Sequence, residues 1–493
     1  MSELPKGWAE TKLGEISQLE MGQSPPGTAT NSDAKGIPLI GGASDFVGEQ
    51  IKPNRFTSAP TKICQPNDLI LCVRATIGKL AVAESAYCLG RGVAGIRPRN
   101  VNQDWLRYRL IGDASALDAA GTGSTFRQID KQTLVSWNIN LPPLNEQRRI
   151  VAKLDRLFAR SRCAREELGR VSRLVQRYKQ AVLAAAFRGD LTADWRAENP
   201  DVEPASELLR QILIRRKQRY NEKYNESKLK NKKKPRKDFV DQIPSIQSEV
   251  EISLPKTWAV TNIDYLAHVT KLAGFEYTKH FKTNDVAGIP IIRAQNVQMG
   301  KFIETNIKYI SEDVSNYLER SQLHGREVLM VFIGAGTGNV CLAPQERRWH
   351  LAPNVAKIDV DEISSNYLCL YLQSSIGQNY VDSWIKSTAQ PSLSMETIRK
   401  IIVFLSPLEE QKEIVRRVEK LFKAIDLIEQ EHQKASKLLD RLEKATLSKA
   451  FRGELVPQDP NDEPAAVLLE RIQAERQTQP KRKAKSTRKP KAN

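Results

Sequence analysis

The run Val331-Phe332-Ile333 leads into Gly334, Gly336 and Gly338. An apolar strand followed by alternating glycines is how many adenosylmethionine-binding sheets begin, because glycine lets the backbone approach a cofactor. Here no acidic residue closes the strand before Gly334, and Cys341-Leu342-Ala343-Pro344 is not the start of a helix. The matching stretch of the first half, Arg74-Ala75-Thr76-Ile77-Gly78-Lys79, keeps one glycine only. A strand–turn–strand is the better reading. Ile77-Gly78-Lys79 lacks the leading glycine and trailing hydroxyl residue of a phosphate loop. No Asn-Pro-Pro-aromatic run, the usual amino-methyltransferase signature, occurs. His268, His280, His324, His350 and His432 show no ligand spacing and read as core or surface residues. Cys64, Cys72, Cys88, Cys163, Cys341 and Cys369 form no CxxC pair, so scattered reduced thiols in a cytoplasmic protein are expected, with no metal site. The sequence offers no catalytic machinery.

What it offers is charge. At 493 residues with 40% hydrophobic content, the chain is long enough for two or more packed domains. The net charge is +18. Arg210 to Lys237 holds thirteen Lys/Arg against Glu222 and Glu226, and the tail from Gln477 to Asn493 holds seven and no acid. The remainder sums to about zero, so any DNA-reading face must come from charge segregation. The basic stretches could attract phosphates without sequence preference, or be solvated linker and tail. The start, MSELPKGW, has no basic-then-apolar leader, and no apolar run approaches the ~18 residues of a membrane helix.

The elements that position these residues come twice. Leu141–Leu191 aligns without a gap to Leu405–Leu455, repeating Pro143, Leu144, Glu146, Gln147, Ile150, Val151, Leu157, Phe158, Ala186, Phe187, Arg188 and Gly189. Leu4-Pro5-Lys6 with Trp8 returns as Leu254-Pro255-Lys256 with Trp258, and Gly36-Ile37-Pro38 as Gly288-Ile289-Pro290. Each copy predicts a long helix, starting after Pro143 or Pro407 and stopping near Gly189 or Gly453. The heptad rows are Ile150, Leu157, Ala164, Val171, Tyr178, Ala185 beside Leu154, Ser161, Leu168, Val175, Val182. In the second copy they are Ile414, Leu421, Ile428, Ala435, Leu442 beside Val418, Ile425, His432, Leu439. Such a seam predicts that the two helices zip together, without choosing parallel or antiparallel. Residues 1–140 and 254–404 read as mixed strand and helix and diverge strongly beyond the shared anchors.

The run Leu141-Pro142-Pro143-Leu144-x-Glu146-Gln147-x-x-Ile150-Val151 resembles the conserved regions of type I restriction–modification specificity subunits. So does Tyr178 to Leu183 leading to Phe187-x-Gly189-x-Leu191-Thr192-x-x-Trp195-Arg196, and Gln390-Pro391-Ser392-Leu393 ahead of Pro407-Leu408-Glu409-Glu410-Gln411. The second copy departs with Ser406 in place of Pro142 and lacks the Thr-x-x-Trp-Arg extension. The resemblance covers nearly the whole chain. It implies an α+β fold: two mixed α/β target-recognition domains joined by two long helices pairing as an antiparallel coiled coil, with an internal pseudo-two-fold repeat. The expected divisions are 1–140 and 254–404 (recognition domains), 141–200 and 405–476 (conserved regions with long helices), 201–253 (basic helical or flexible linker) and 477–493 (basic disordered tail). It also implies a bipartite DNA site, two adenine methyltransferase (M) subunits using S-adenosylmethionine, and two restriction (R) subunits using ATP and Mg.

For base reading, polar and basic residues in irregular segments are the candidates, since Arg suits guanine and Asn or Gln suits adenine. In the first domain these are Gln23, Ser24, Ser44, Asp45, Arg74, Lys79, Arg91, Thr125 and Arg127. In the second they are Lys279, Lys282, Arg293, Gln295, Asn296, Asn339, Arg347, Arg348, Asn354, Lys386 and Gln390. The repeated helix ends at Phe187, Arg188, Phe451 and Arg452 are candidate subunit contacts, with packing the competing role for the phenylalanines. Two rival readings remain: an intact methyltransferase using Gly334 to Gly338 as its cofactor loop, and a non-specific architectural DNA binder using the basic segments.

Overall fold

The computed structural model describes residues 4–48, 50–123, 127–229, 234, 252–284, 287–386 and 390–478. The chain forms two compact units, Met1–Gly169 with Gln433–Asn493, and Arg170–His432. Each unit therefore takes its recognition domain from one repeat and its closing segment from the other.

In the first unit a four-stranded antiparallel sheet has the order Ser17–Met21, Val93–Pro98, Leu69–Cys72, Leu80–Val82. Leu69–Cys72 is buried at every position. Its side chains alternate between two cores, as a strand's period of two requires. Leu69 and Leu71 join the core with Trp105 and Ile150, while Ile70 and Cys72 join the one with Ile40, Phe46 and Leu89. A second sheet runs Cys88–Leu89, Ile37–Ile40, Phe56–Thr57, Thr30–Asn31, its first two strands parallel. The other unit repeats this plan: Ala267–Lys271, Val355–Val360, Val328–Val331, Val340–Leu342 beside Lys308–Ile310, Ile289–Ile292, Trp349–Leu351, Gln322–Leu323. Val328 and Met330 face one core, Leu329 and Val331 the other. Two sequences that share little beyond a few anchors thus build one topology.

The long helices are Leu144–Arg188 and Leu408–Phe451. Each starts directly after its proline and ends at a glycine with positive φ, +85° at Gly189 and +76° at Gly453. In the first unit Arg165 Nη2 lies 2.7 Å from Asp440 Oδ1 and 2.9 Å from Glu443 Oε2, while Arg149 Nη2 reaches Asp462 Oδ2 at 2.6 Å. In the second, Lys179 Nζ lies 3.1 Å from Asp426 Oδ1 and Arg417 Nη1 2.6 Å from Asp194 Oδ1. In both units partner numbers fall as helix numbers rise, so the helices pair antiparallel.

The seam is narrower than the heptad rows suggest. Ile150, Leu154, Val182, Ile414 and Val418 are buried, yet Tyr178, Ile428 and Leu442 are 52%, 50% and 55% exposed. A straight helix drifts about 20° per heptad from a strict seven-residue repeat, which turns one of the two rows off the contact while Leu154, Ser161, Val175 and Val182 of the other stay buried.

Ala205–Leu229 is a helix that buries Leu208, Leu209, Ile212 and Arg216, and Ala465–Thr478 buries Leu468 and Ile472. The basic stretch is thus partly structural: Arg216 Nε lies 2.7 Å from Asp361 Oδ2, and Arg219 Nη2 2.5 Å from Asp361 Oδ1. Residues 477–478 close the last helix, while most of the expected linker beyond 229 and the tail beyond 478 lie outside the described residues.

Candidate nucleic-acid interface

The repeated Glu-Gln pair fastens each recognition domain to its helix. Trp8 Nε1 donates to Glu146 Oε2 at 3.0 Å, and Trp258 Nε1 to Glu410 Oε2 at 2.9 Å. Gln147 Oε1 accepts the Asn102 amide at 2.8 Å while its Nε2 donates to Pro142 O at 2.9 Å. Gln411 does the same with Ser364 N at 3.1 Å and Ser406 O at 2.9 Å. The Ser406 departure leaves this bond intact because the acceptor is a backbone carbonyl. Burial pushes the Glu146 carboxyl above its ordinary value, against the lowering effect of the Trp8 and Gln458 hydrogen bonds.

Within that frame the first unit holds an open cavity of about 610 Å³, lined by Gly41 to Ser44, Arg55, Arg74 to Thr76, Arg91 and Gly92. The second holds one of about 590 Å³, whose lining includes Tyr277, Arg293, Gln295, Gln298, Gly334, Gly336, Asn339, Asn354 and Gln390. The glycine loop is a hairpin: Val328–Val331 pairs antiparallel with Val340–Leu342, and Gly334 and Gly338 turn with φ +109° and +92°. It opens no helix, so it is not a nucleotide loop of the strand-to-helix kind.

The structure brings together Ser44, Arg74 and Arg91 in one unit, with Ser24 Oγ accepting the Arg91 amide at 3.4 Å beside Gln23. In the other it gathers Arg293, Gln295, Asn339, Asn354 and Gln390. Several candidates have structural partners instead. Asp45 is buried and its Oδ2 accepts from Gly41 N at 2.6 Å and Gly42 N at 3.1 Å, so it caps a turn. Asn296 is likewise buried, donating to Ile303 O and Thr305 O, both at 2.9 Å. Lys79 Nζ donates to Ala43 O at 3.1 Å and pins the same loop from below. Arg127 pairs with Asp118, Arg347 with Glu304 and Arg348 with Glu312, and none of the three arginines is in a cavity lining. Lys279, Lys282 and Lys386 are exposed and line neither cavity, and Thr125 lies outside the described residues. Among the expected subunit contacts, Phe187 is fully buried against Tyr367 and Tyr371, and Phe451 packs on Trp105. Both rings are core, because each lies in the last turn of a helix that ends inside its unit's core. Arg188 and Arg452 are exposed and pair with Asp190 and Glu454.

Sequence reasoning missed Arg55, Thr76, Gln298 and Tyr277. Arg55 follows Pro53-Asn54 in an irregular segment, the one signal that could have found it. Among the described residues no group of three His, Cys, Asp or Glu could hold a metal ion, and no helix is long and apolar enough to cross a membrane.

One duplicated frame thus holds an open cavity in each unit. The family model for the Type I restriction modification DNA specificity domain matches residues 5–169 and 255–437, and the chain belongs to that family. It is 25% identical over 487 residues to the type I restriction enzyme EcoBI specificity subunit of Escherichia coli, covering 95% of this chain and 92% of that one. It is 26% identical over 495 residues to the EcoDI specificity subunit of Escherichia coli, covering 96% of each. In fold it matches a chain solved in a study of complex assembly and conformational transition of the type I R-M system, with a TM-score of 0.63 at 17% identity, over 92% of this chain and 100% of that one. The subunit recognises DNA sequence and is non-catalytic, catalysis lying in partner subunits.

Proposed function

We propose that each unit reads one half of a bipartite DNA site, and that the subunit thereby positions two M and two R subunits for adenine-N6 methylation or ATP-dependent cleavage. The observation that carries this reading is the double construction of one cavity with two different linings. One frame with unlike readers is what a split, asymmetric site requires. S-adenosylmethionine enters with the M subunits, ATP and Mg with the R subunits. The target adenine must leave the stack to be methylated, so the task of this chain is to set the M subunits over it.

Mapping methyladenine in a host with and without this chain tests the reading. A two-part motif that disappears with the chain is expected. Exchanging residues 1–140 for a foreign recognition domain should change one half of that motif only, and an unaltered motif would overturn the proposal.

A further inference from the structure

Equivalent backbone contacts pair the lining positions of the two cavities. Val73 N donates to Gly92 O at 2.9 Å, and Phe332 N to Asn354 O at 3.0 Å, so Gly92 and Asn354 occupy one place. The short turns Ala43–Asp45 and Ala294–Asn296 put Ser44 and Gln295 at their centres. Arg74 bridges to Gln128 as Ile333 bridges to Ser392. At each paired place the first unit offers a guanidinium or no reader beyond a hydroxyl. The second offers an amide or no polar group.

The free groups sharpen this contrast. Gln128 Oε1 accepts from Arg74 Nε at 2.8 Å and from Arg74 Nη2, which fixes the guanidinium plane and leaves Nη1 without a partner among the described residues. Arg91 is exposed, and among the described residues its guanidinium has no ion pair. In the second cavity the arginine of the lining, Arg293, is half-buried and its Nη2 donates to Asn306 O. The exposed Gln295, with Gln298 beside it in the lining, and the half-buried Asn354 are amides that remain. Asn354 holds φ at +72°, a left-handed conformation that amide-bearing Asn tolerates better than most residues.

A guanidinium fork matches the O6 and N7 acceptors of guanine, whereas a side-chain amide both donates and accepts, matching adenine N7 and N6. We propose that the two cavities read different base pairs, the arginine-lined one G·C pairs through Arg74 and Arg91, the amide-lined one A·T pairs through Gln295 and Asn354. This rests on the reading that each unit takes one half-site, and it assigns the chemistry of each half.

The full chain is incubated with a randomised duplex library at fixed salt, and bound duplexes are sequenced. The unsubstituted chain should enrich two blocks. Arg91→Gln should lower G·C selectivity about 5- to 150-fold at a position of one block, the loss expected for one bidentate contact, and leave the other block untouched. Gln295→Ser with Asn354→Gly, which copies the first cavity and suits the positive φ, should relax A·T positions in the other block by a similar factor. Two enriched blocks with the losses at the opposite base pairs, or with no loss in either, overturn the base assignment alone. Enrichment of no two-block motif by the unsubstituted chain overturns this inference together with the bipartite reading beneath it.

Discussion

The indole of Trp8 and the carboxylate of Glu146, 138 positions apart, meet at 3.0 Å inside the first unit, and Gln458 Nε2 closes on the other carboxylate oxygen at 3.4 Å. One buried acid thus joins the start of the recognition domain, the start of one long helix and the segment after the other. Glu146→Ala would strand a buried N–H, so a loss of about 1–3 kcal/mol in urea unfolding is expected. In a Trp8→Phe background the same substitution should cost less. Additive losses in that double-mutant cycle would mean the contact carries no coupling.

Gly453 has φ +76°, and a Cβ there would sit 2.5 Å from Pro5 Cγ; Gly189 stands in the same relation to Pro255. The recurring Leu-Pro-Lys and Phe-Arg-Gly motifs are therefore two sides of one contact. Gly453→Ala should cost more than the about 1–2 kcal/mol of a left-handed alanine. Adding Pro5→Ala should relieve the clash and keep the backbone strain. Unchanged thermal stability of Gly453→Ala would refute this account.

Phe187 and Arg188 are neighbours with opposite roles. Phe187 lies 5.3 Å and 5.2 Å, ring to ring, from Tyr367 and Tyr371. Its replacement by Ala should destabilise by about 3–5 kcal/mol. Arg188→Ala should stay within about 0.5 kcal/mol of the parent, yet co-purify less M subunit. Full co-purification of Arg188→Ala and Arg452→Ala would remove the helix ends as a docking site.

The frame was legible in the sequence because it is written twice. Glu146 and Glu410, Gly189 and Gly453, and Trp8 and Trp258 each recur at nearly fixed offsets, and the structure gives each pair one role. The cavities were legible only in part. Their walls come from segments near positions 41, 74 and 91, or 293, 334, 354 and 390, that have no common period and meet only through the sheet order. Asp45 and Asn296 have the right residue types for base reading, but short polar side chains in turns often bond to nearby backbone first, and these do. Arg55 is marked locally only by the preceding Pro53-Asn54, and the space for its guanidinium comes from the distant Gly41.

Glu413 ties acid sensitivity to the second unit. Arg416 Nε donates to its Oε2 at 2.7 Å and Arg417 Nε to its Oε1 at 2.5 Å, while Arg417 also holds Asp194. The Arg416 hydrogen bond, ahead of the Arg417 one, pulls the Glu413 carboxyl down to about 2 from an ordinary 4.5. A depressed folded-state value means that the folded protein releases this proton more readily than the unfolded one. The stabilisation is therefore complete above pH 4.5 and disappears as pH falls toward about 2. Glu413→Gln should lower the urea midpoint at neutral pH and flatten its fall across that window, so that the two proteins converge at the acid end. Curves for parent and variant that run parallel from pH 5 to pH 2 would show that the arginine pair does not draw its effect from the ionised carboxylate.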